Sequence, residues 1–369
     1  MVALSGDPRC VPCVWTKYAA FEEQCGEREA LLEVYRRLLA APAVGEEALQ
    51  CGEECFAKLE ALAADPAKAA DGAEETSAFV ARCGAARATT AVAWARKAPY
   101  ELSIRRHYFH VKPLDSKQLE TWRAYLDSAE RDSTPQEIAA LYERCLVACC
   151  AYPEFWTRYA LWCADQVSAE QGLAIARRFC KALKHAPDAH LLLCELLESA
   201  GLVDEARAGY ERLTERVAPG LLEAVVALAN FERRCGNLED AQLVYSSALT
   251  EAEGASRCAL ATHLARFQAH VLRELDAARG TLEDALRLAP TDEALWVAYF
   301  HLETAHPDQD AEKRVSALFE HCVLRDDNTD LDATTQKHLW LLYKTYMEDT
   351  AADVADVLRV RETFATKFN

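Results

Sequence analysis

Glycine is scarce in this chain: 13 of 369 residues, with no G-x-G-x-x-G or G-x-x-x-x-G-K arrangement among them. The usual backbone cradles for phosphate groups are therefore missing. H-E-x-x-H and G-x-S-x-G are missing too, which removes two common hydrolase signatures. No apolar run approaches the ~20 residues that a membrane-spanning helix needs. The first ten residues lack a charged-then-apolar pattern, so secretion is not expected. Cations are in deficit, 41 Lys and Arg against 59 Asp and Glu, for a formal net charge of −18. That balance argues against a nucleic-acid binder that uses its whole surface, because phosphate neutralisation needs clustered Lys and Arg. Period-two alternation is rare, so strands are not expected either.

What the chain does have is apolar content, 51% of residues, and a helical period almost throughout. Over 138–146 the apolar residues fall at 138, 141, 142, 145 and 146, one face of a helix. Fifteen cysteines, an odd number, lie mostly inside such stretches and read as small buried hydrophobes in a reducing compartment. A zinc site from Cys10-x2-Cys13 and Cys51-x3-Cys55 has permitted spacings. However, the second pair sits in a helical stretch and no His follows at finger spacing, so no metal or cofactor is expected. Asp326-x-Asn328-x-Asp330 begins like a calcium loop, but Leu331 and Lys337 stand where Gly and Glu belong, so a solvated acidic loop is expected.

The organising feature is an internal repeat. Trp followed three residues later by Tyr recurs at 15/18, 122/125, 156/159, 296/299 and 340/343. An apolar or acidic landmark follows, as in Phe21-Glu22, Phe231-Glu232 and Leu302-Glu303, and His190, Val225 and Ala261 occupy the Trp slot elsewhere. Successive anchors at 122, 156, 190, 225, 261, 296 and 340 are spaced by 34, 34, 35, 36, 35 and 44 residues, a two-helix repeat. A second helix carries Tyr-x-Arg or a weaker version of it at Tyr35, Tyr142, Tyr210, Tyr245 and Phe319. Pro42, Pro153, Pro187, Pro219 and Pro290 close these second helices. Gly26, Gly201 and Gly236 are expected in left-handed caps, and Thr134-Pro135-Gln136-Glu137 and Ser168-Ala169-Glu170-Gln171 as capping boxes. Ala140, Ala176, Ala206 and Ala241 are expected where helices approach closely. The regularity breaks over 43–104, with a loop near 64–74 and a helix from about Glu75 to Ala98. It breaks again at Arg105–Asp115, and at an acidic loop over 325–332.

The Trp-x2-Tyr helix followed by Tyr-Glu-Arg resembles the half-a-tetratricopeptide (HAT) repeat. The run Tyr108-Phe109-His110-Val111-Lys112-Pro113-Leu114, with Gln118-Leu119 and Trp122 behind it, resembles more specifically the pre-mRNA-processing factor 39 family. The likeness continues through Leu141–Cys145, Phe155–Ala160 and Phe231–Glu239. It implies an all-α fold, an α-solenoid of HAT helix pairs. The expected organisation is an N-terminal HAT repeat at 1–42, an irregular helical connection at 43–104, a C-terminal HAT array at 105–350 and a terminal helix at 351–369. Only 14 residues precede Trp15, where the family has further repeats, so contacts made through an N-terminal array are not expected of this chain.

The resemblance implies a nuclear, non-enzymatic scaffold that bridges proteins of the U1 small nuclear ribonucleoprotein during 5′ splice-site recognition, and a homodimer. No catalytic constellation is visible, and no membrane or small-molecule substrate is expected. The candidate dimer residues are Trp340, Tyr343, Tyr346, Leu358, Val360 and Phe364, which could equally cap the chain's own last repeat. The candidate RNA contacts are Arg105 and Arg106, near Tyr108 and Phe109, and Arg177, Arg178, Lys181 and Lys184. The alternative for the latter group is interaction with the negative end of their helix, and for Arg105 and Arg106 it is packing between repeats. The competing functions are a HAT scaffold for 3′-end cleavage or ribosomal RNA processing, and a direct single-stranded RNA binder.

Overall fold

The structure, a computed structural model, describes residues 11–25, 28–40, 46–64, 73–306, 310–320, 331–351 and 353–368. Among them are eighteen α-helices and no strand. Two compact units divide the chain, Met1–Tyr159 and Ala160–Asn369.

The first unit holds α1 (Val11–Cys25), α2 (Arg28–Ala40), α3 (Glu46–Ala64), α4 (Ala73–Ser103), α5 (Ser116–Asp132), α6 (Pro135–Cys149) and the start of α7 (Pro153–Gln166). On α2, Leu31, Val34, Tyr35, Leu38 and Leu39 form one apolar stripe, which packs on Cys51, Cys55, Phe56 and Leu59 of α3 and Cys83 of α4. Cys51 and Cys55 thus fill a core, and burial pushes the Cys55 thiol up to about 12. Cys10, the side chain of Cys13 and Asp326–Asp330 lie outside the described residues, as do Gly26 and Pro42.

Helix α4 corrects the expected stop at Ala98. It runs through Pro99 to Ser103, although proline removes a helical hydrogen bond and crowds the preceding turn. Contacts beyond the proline hold that last turn. Tyr100 stacks on Tyr125 of α5 with centroids 5.1 Å apart. Glu101 accepts from Arg144 of α6 at 2.8 and 2.9 Å and from the Tyr125 hydroxyl at 2.7 Å.

The second unit holds the rest of α7, then α8 (Ala169–Ala182), α9 (Pro187–Ser199), α10 (Val203–Arg212), α11 (Leu222–Cys235), α12 (Leu238–Glu251), α13 (Gly254–Phe267), α14 (Leu275–Leu288), α15 (Glu293–Ala305), α16 (Ala311–Phe319), α17 (Ala333–Thr350) and α18 (Val354–Phe368). The repeat frame maps onto these helices directly. Each odd-numbered helix from α5 to α17 carries one Trp-slot residue. Trp122, Trp156, Val225, Ala261, Trp296 and Trp340 are buried, and His190 is half-buried. Trp156 and Trp296 each donate their indole N–H to a backbone carbonyl six residues earlier, that of Cys150 and that of Pro290, both at 2.8 Å. The ring so locks the incoming turn to its own helix.

The caps follow the sequence where they are described. Gly201 and Gly236 have φ of 76° and 89°, the left-handed conformation that ends a helix. Glu137 accepts from both the backbone N–H and the hydroxyl of Thr134 at 3.1 Å, and Ser168 Oγ accepts from the Gln171 N–H at 3.2 Å. Ala176, Ala206 and Ala241 are fully buried at helix contacts, but Ala140 faces solvent. Ala206 and Ala241 each lie four residues before a buried Tyr, and in α6 that position belongs to buried Ile138, four before Tyr142. In the second unit, Gly172 of α8 approaches α7 so closely that a Cβ there would lie 2.6 Å from the Ala164 Cβ.

Candidate protein-interaction surfaces

At two of the acidic landmarks, Glu232 and Glu303, a buried carboxylate is held by arginine. Glu303 of α15, 1% exposed, accepts from Arg279 Nε at 2.6 Å and Arg314 Nε at 2.7 Å, joining α14, α15 and α16. Glu232 of α11 accepts from Arg207 of α10 at 2.7 and 3.1 Å and from Asn237 Nδ2 at 2.7 Å. In the first unit Glu130 of α5 accepts from the Tyr142 hydroxyl of α6 and from Arg158 at 2.9 and 2.7 Å. Burial alone would raise the carboxyl pKa of Glu303, but its two arginines hold it below the usual carboxylate range. For Glu232 the Arg207 hydrogen bond is the leading cause of the same lowering. Tyr299 of α15 likewise donates to Glu283 of α14 at 2.8 Å. These groups stiffen the stack of helices. A groove of roughly 690 Å³ beside α14–α16 is lined by Trp296, Tyr299 and Leu318 together with the Arg279–Glu303–Arg314 cluster.

At the C-terminal end, most of the residues singled out for self-association pack inward. Trp340 and Tyr343 of α17 are buried. Phe319 stacks on Tyr343 at 4.0 Å and meets Trp340 edge-on at 4.7 Å. From α18, Phe364 packs edge-on against Trp340 at 6.1 Å, with Lys344 Nζ 5.6 Å above its ring. Tyr346 and Val360 also pack against this core. Leu358 alone of the six is exposed, at 57%, with Val354 beside it on the outer face of α18 at 71%. The sequence could not separate the two roles, because capping one's own repeat and binding a partner call for the same apolar stripe.

The basic residues divide into two places. Arg177, Arg178 and Lys181 are exposed on α8, and Arg177 pairs with Glu205 of α10 at 3.1 Å. Lys184 is not on α8 with them: the helix ends at Ala182, and Lys184 lies in the following turn, where its carbonyl is 3.0 Å from His190 Nε2. In the first unit Arg105 and Arg106 begin the non-helical segment that follows α4. Arg105 donates its backbone N–H to Gln118 Oε1 at 2.8 Å, Gln118 Nε2 donates to the Ser103 carbonyl at 2.8 Å, and Arg106 Nη1 donates to the Lys112 carbonyl at 3.0 Å. The Leu114 N–H donates to the Tyr152 hydroxyl at 2.6 Å. Between these ties Tyr108, Phe109 and Val111 are exposed at 62%, 56% and 88%, and Leu102 on the last turn of α4 at 71%. The break in the repeat pattern marked this segment, but its outward-facing apolar side chains were not legible, since aromatic residues usually signal core.

Residues 95–234 match a family model described as PRP39 C-terminal HAT repeat. The chain is 30% identical over 230 residues to pre-mRNA-processing factor 39 of Xenopus laevis, covering 61% of this chain and 35% of that protein. It is 39% identical over 153 residues to pre-mRNA-processing factor 39-2 of Arabidopsis thaliana, covering 41% and 15%. Residues 95–234 are thus similar to the C-terminal HAT repeats of PRP39. The matched stretch takes in the end of α4, the tied segment before α5, and the helices from α5 to nearly the end of α11. The chain spans 35% or less of the length of these two relatives. A weaker similarity, 23% over 374 residues, links it to cleavage stimulation factor subunit 77 of Arabidopsis thaliana, covering 95% of this chain and 47% of that protein.

Proposed function

We propose that this protein is a non-enzymatic scaffold in nuclear pre-mRNA splicing, bridging proteins of the U1 small nuclear ribonucleoprotein during 5′ splice-site recognition. The observation that carries the reading is the PRP39-type array at 95–234, together with pre-mRNA-processing factor 39 relatives. Helix pairs that hold their charged groups in internal arginine–carboxylate contacts suit a rigid platform rather than a reaction site. In this reading residues 105–350 are the working array, 1–42 an N-terminal repeat joined by 43–104, and 351–369 a self-association element. RNA contact is indirect. Affinity purification from nuclear extract, with mass spectrometry and measurement of small nuclear RNA, should recover splicing proteins and U1 RNA. Recovery of 3′-end cleavage factors without splicing proteins would overturn the reading in favour of a cleavage scaffold, the alternative that the similarity to subunit 77 supports.

The same reading includes a homodimer through the outer face of α18. Its support is the exposure of Val354 and Leu358, two apolar side chains one helical turn apart on α18. Light scattering should give twice the 41.0 kDa chain mass, and Leu358→Asp should return the single-chain value. A single-chain mass for the unaltered protein at micromolar concentration would reject the dimer.

A further inference from the structure

We propose that the tied segment between α4 and α5 is a docking site for an acidic protein segment carrying apolar anchors. This goes beyond the splicing reading and does not rest on it. From Leu102 to Leu114 the sequence contains Arg105, Arg106, Lys112, His107 and His110 and no Asp or Glu, within a chain of net charge −18. The preceding carboxylate, Glu101, is engaged by Arg144 and Tyr125. The segment's own Lys and Arg side chains therefore have no carboxylate among residues 102–114, the next in sequence being Asp115 at the N-cap of α5.

The segment is non-helical but held. Gln118 clamps its start, the Arg106–Lys112 contact closes its middle, and Tyr152 fixes its end. A held segment that keeps Leu102, Tyr108, Phe109 and Val111 in water presents apolar chains that are already ordered, so a partner would not have to order them on binding. Exposed aromatics beside Arg are the composition of interface anchors.

Charge and shape favour peptide over single-stranded RNA. Arg106 is half-buried and reaches back to the Lys112 carbonyl, so Arg105 and Lys112 are the exposed cations of the segment. Two such cations neutralise too few phosphates to hold a strand on a chain this acidic. They are enough to orient a short acidic segment, whose apolar side chains would meet the aliphatic Leu102 and Val111 that base stacking does not use.

The test is selection from a random-peptide phage library on the full chain. Peptides retained should pair Asp or Glu with Phe, Trp or Leu. Tyr108→Ser/Phe109→Ser/Val111→Ser should weaken them at least about tenfold by fluorescence polarisation, with an unchanged melting curve, since all three side chains are exposed. Arg105→Glu/Lys112→Glu, which leaves the apolar anchors in place, should shift the selected peptides toward Lys and Arg. Peptides indifferent to both variants, a basic consensus on the unaltered chain, or no peptide retained would each overturn the proposal. So would oligouridylate binding more tightly than any peptide and being lost on the same substitutions, which would make the segment an RNA site instead.

Discussion

Glu303 shows what a single residue contributes to this architecture. A carboxylate 1% exposed is costly unless its oxygens are satisfied, and here two arginines from different helices satisfy them. Removing it takes the buried carboxylate from both guanidinium groups, although Arg279 keeps Asp276 at 2.8 Å. Glu303→Ala should cost about 3–5 kcal/mol of stability in urea titration. The pH dependence follows from the lowered carboxyl pKa in the folded state. The unfolded chain takes up this proton near the ordinary value of 4.5, so the charged form's stabilisation is complete above that pH and is lost as pH falls through the lower folded value. The stability gap between the unaltered chain and Glu303→Gln should therefore be constant around neutrality and narrow below about pH 4.5. A gap that widens on acidification would mean that the arginine contacts do not govern this site. The sequence pointed to Phe231-Glu232 and Leu302-Glu303 as landmarks. Their partners were not legible, because Arg207 lies 25 residues before Glu232 and Arg279 lies 24 before Glu303, separations that only the folded helix pairs close.

At the scale of elements, α4 is where local propensity and tertiary contact disagree. Pro99 argues for a helix end, yet the helix continues for a further turn because Tyr100 and Glu101 are anchored on α5 and α6. A proline inside a helix is disfavoured by about 3 kcal/mol relative to alanine. Pro99→Ala should restore an N–H donor facing the Ala95 carbonyl and raise the stability of the protein by about 1–3 kcal/mol. A loss of stability would show instead that the proline shapes the approach of Tyr100 to Tyr125. The other elements were largely legible, since a Trp slot every 34 to 36 residues places a first helix and the Tyr-x-Arg signature a second. The misplaced residue was Ala140 of α6, expected at a helix contact but facing solvent, although the apolar period over 138–146 already put Ile138 on the core face. Alanine is compatible with either face of a helix, so its presence does not fix the rotation.

At the scale of the molecule, repeats that bury themselves only against their neighbours should unfold in pieces rather than all at once. The second unit contains several apolar clusters, linked through half-buried residues such as Val244 and Leu249. One runs from Cys258 to Met347 and joins α13 to α17, with Val360 and Phe364 of α18 against it. Another gathers Leu173, Cys194, Leu197, Tyr210 and Phe231 from α8 to α11. Phe319 sits inside the first, stacked on Tyr343 and edge-on to Trp340. Phe319→Ala should remove about 3–5 kcal/mol of local packing. Because the α8–α11 cluster shares no residue with the cluster that holds Phe319, that loss should not reach it directly. Hydrogen exchange followed by mass spectrometry should then show faster exchange in peptides from α15 to α18, with peptides from α8 to α10 unchanged. Uniform acceleration across the whole unit would mean a single cooperative domain, and coupling by nearest neighbours would then be the wrong physical description of this array.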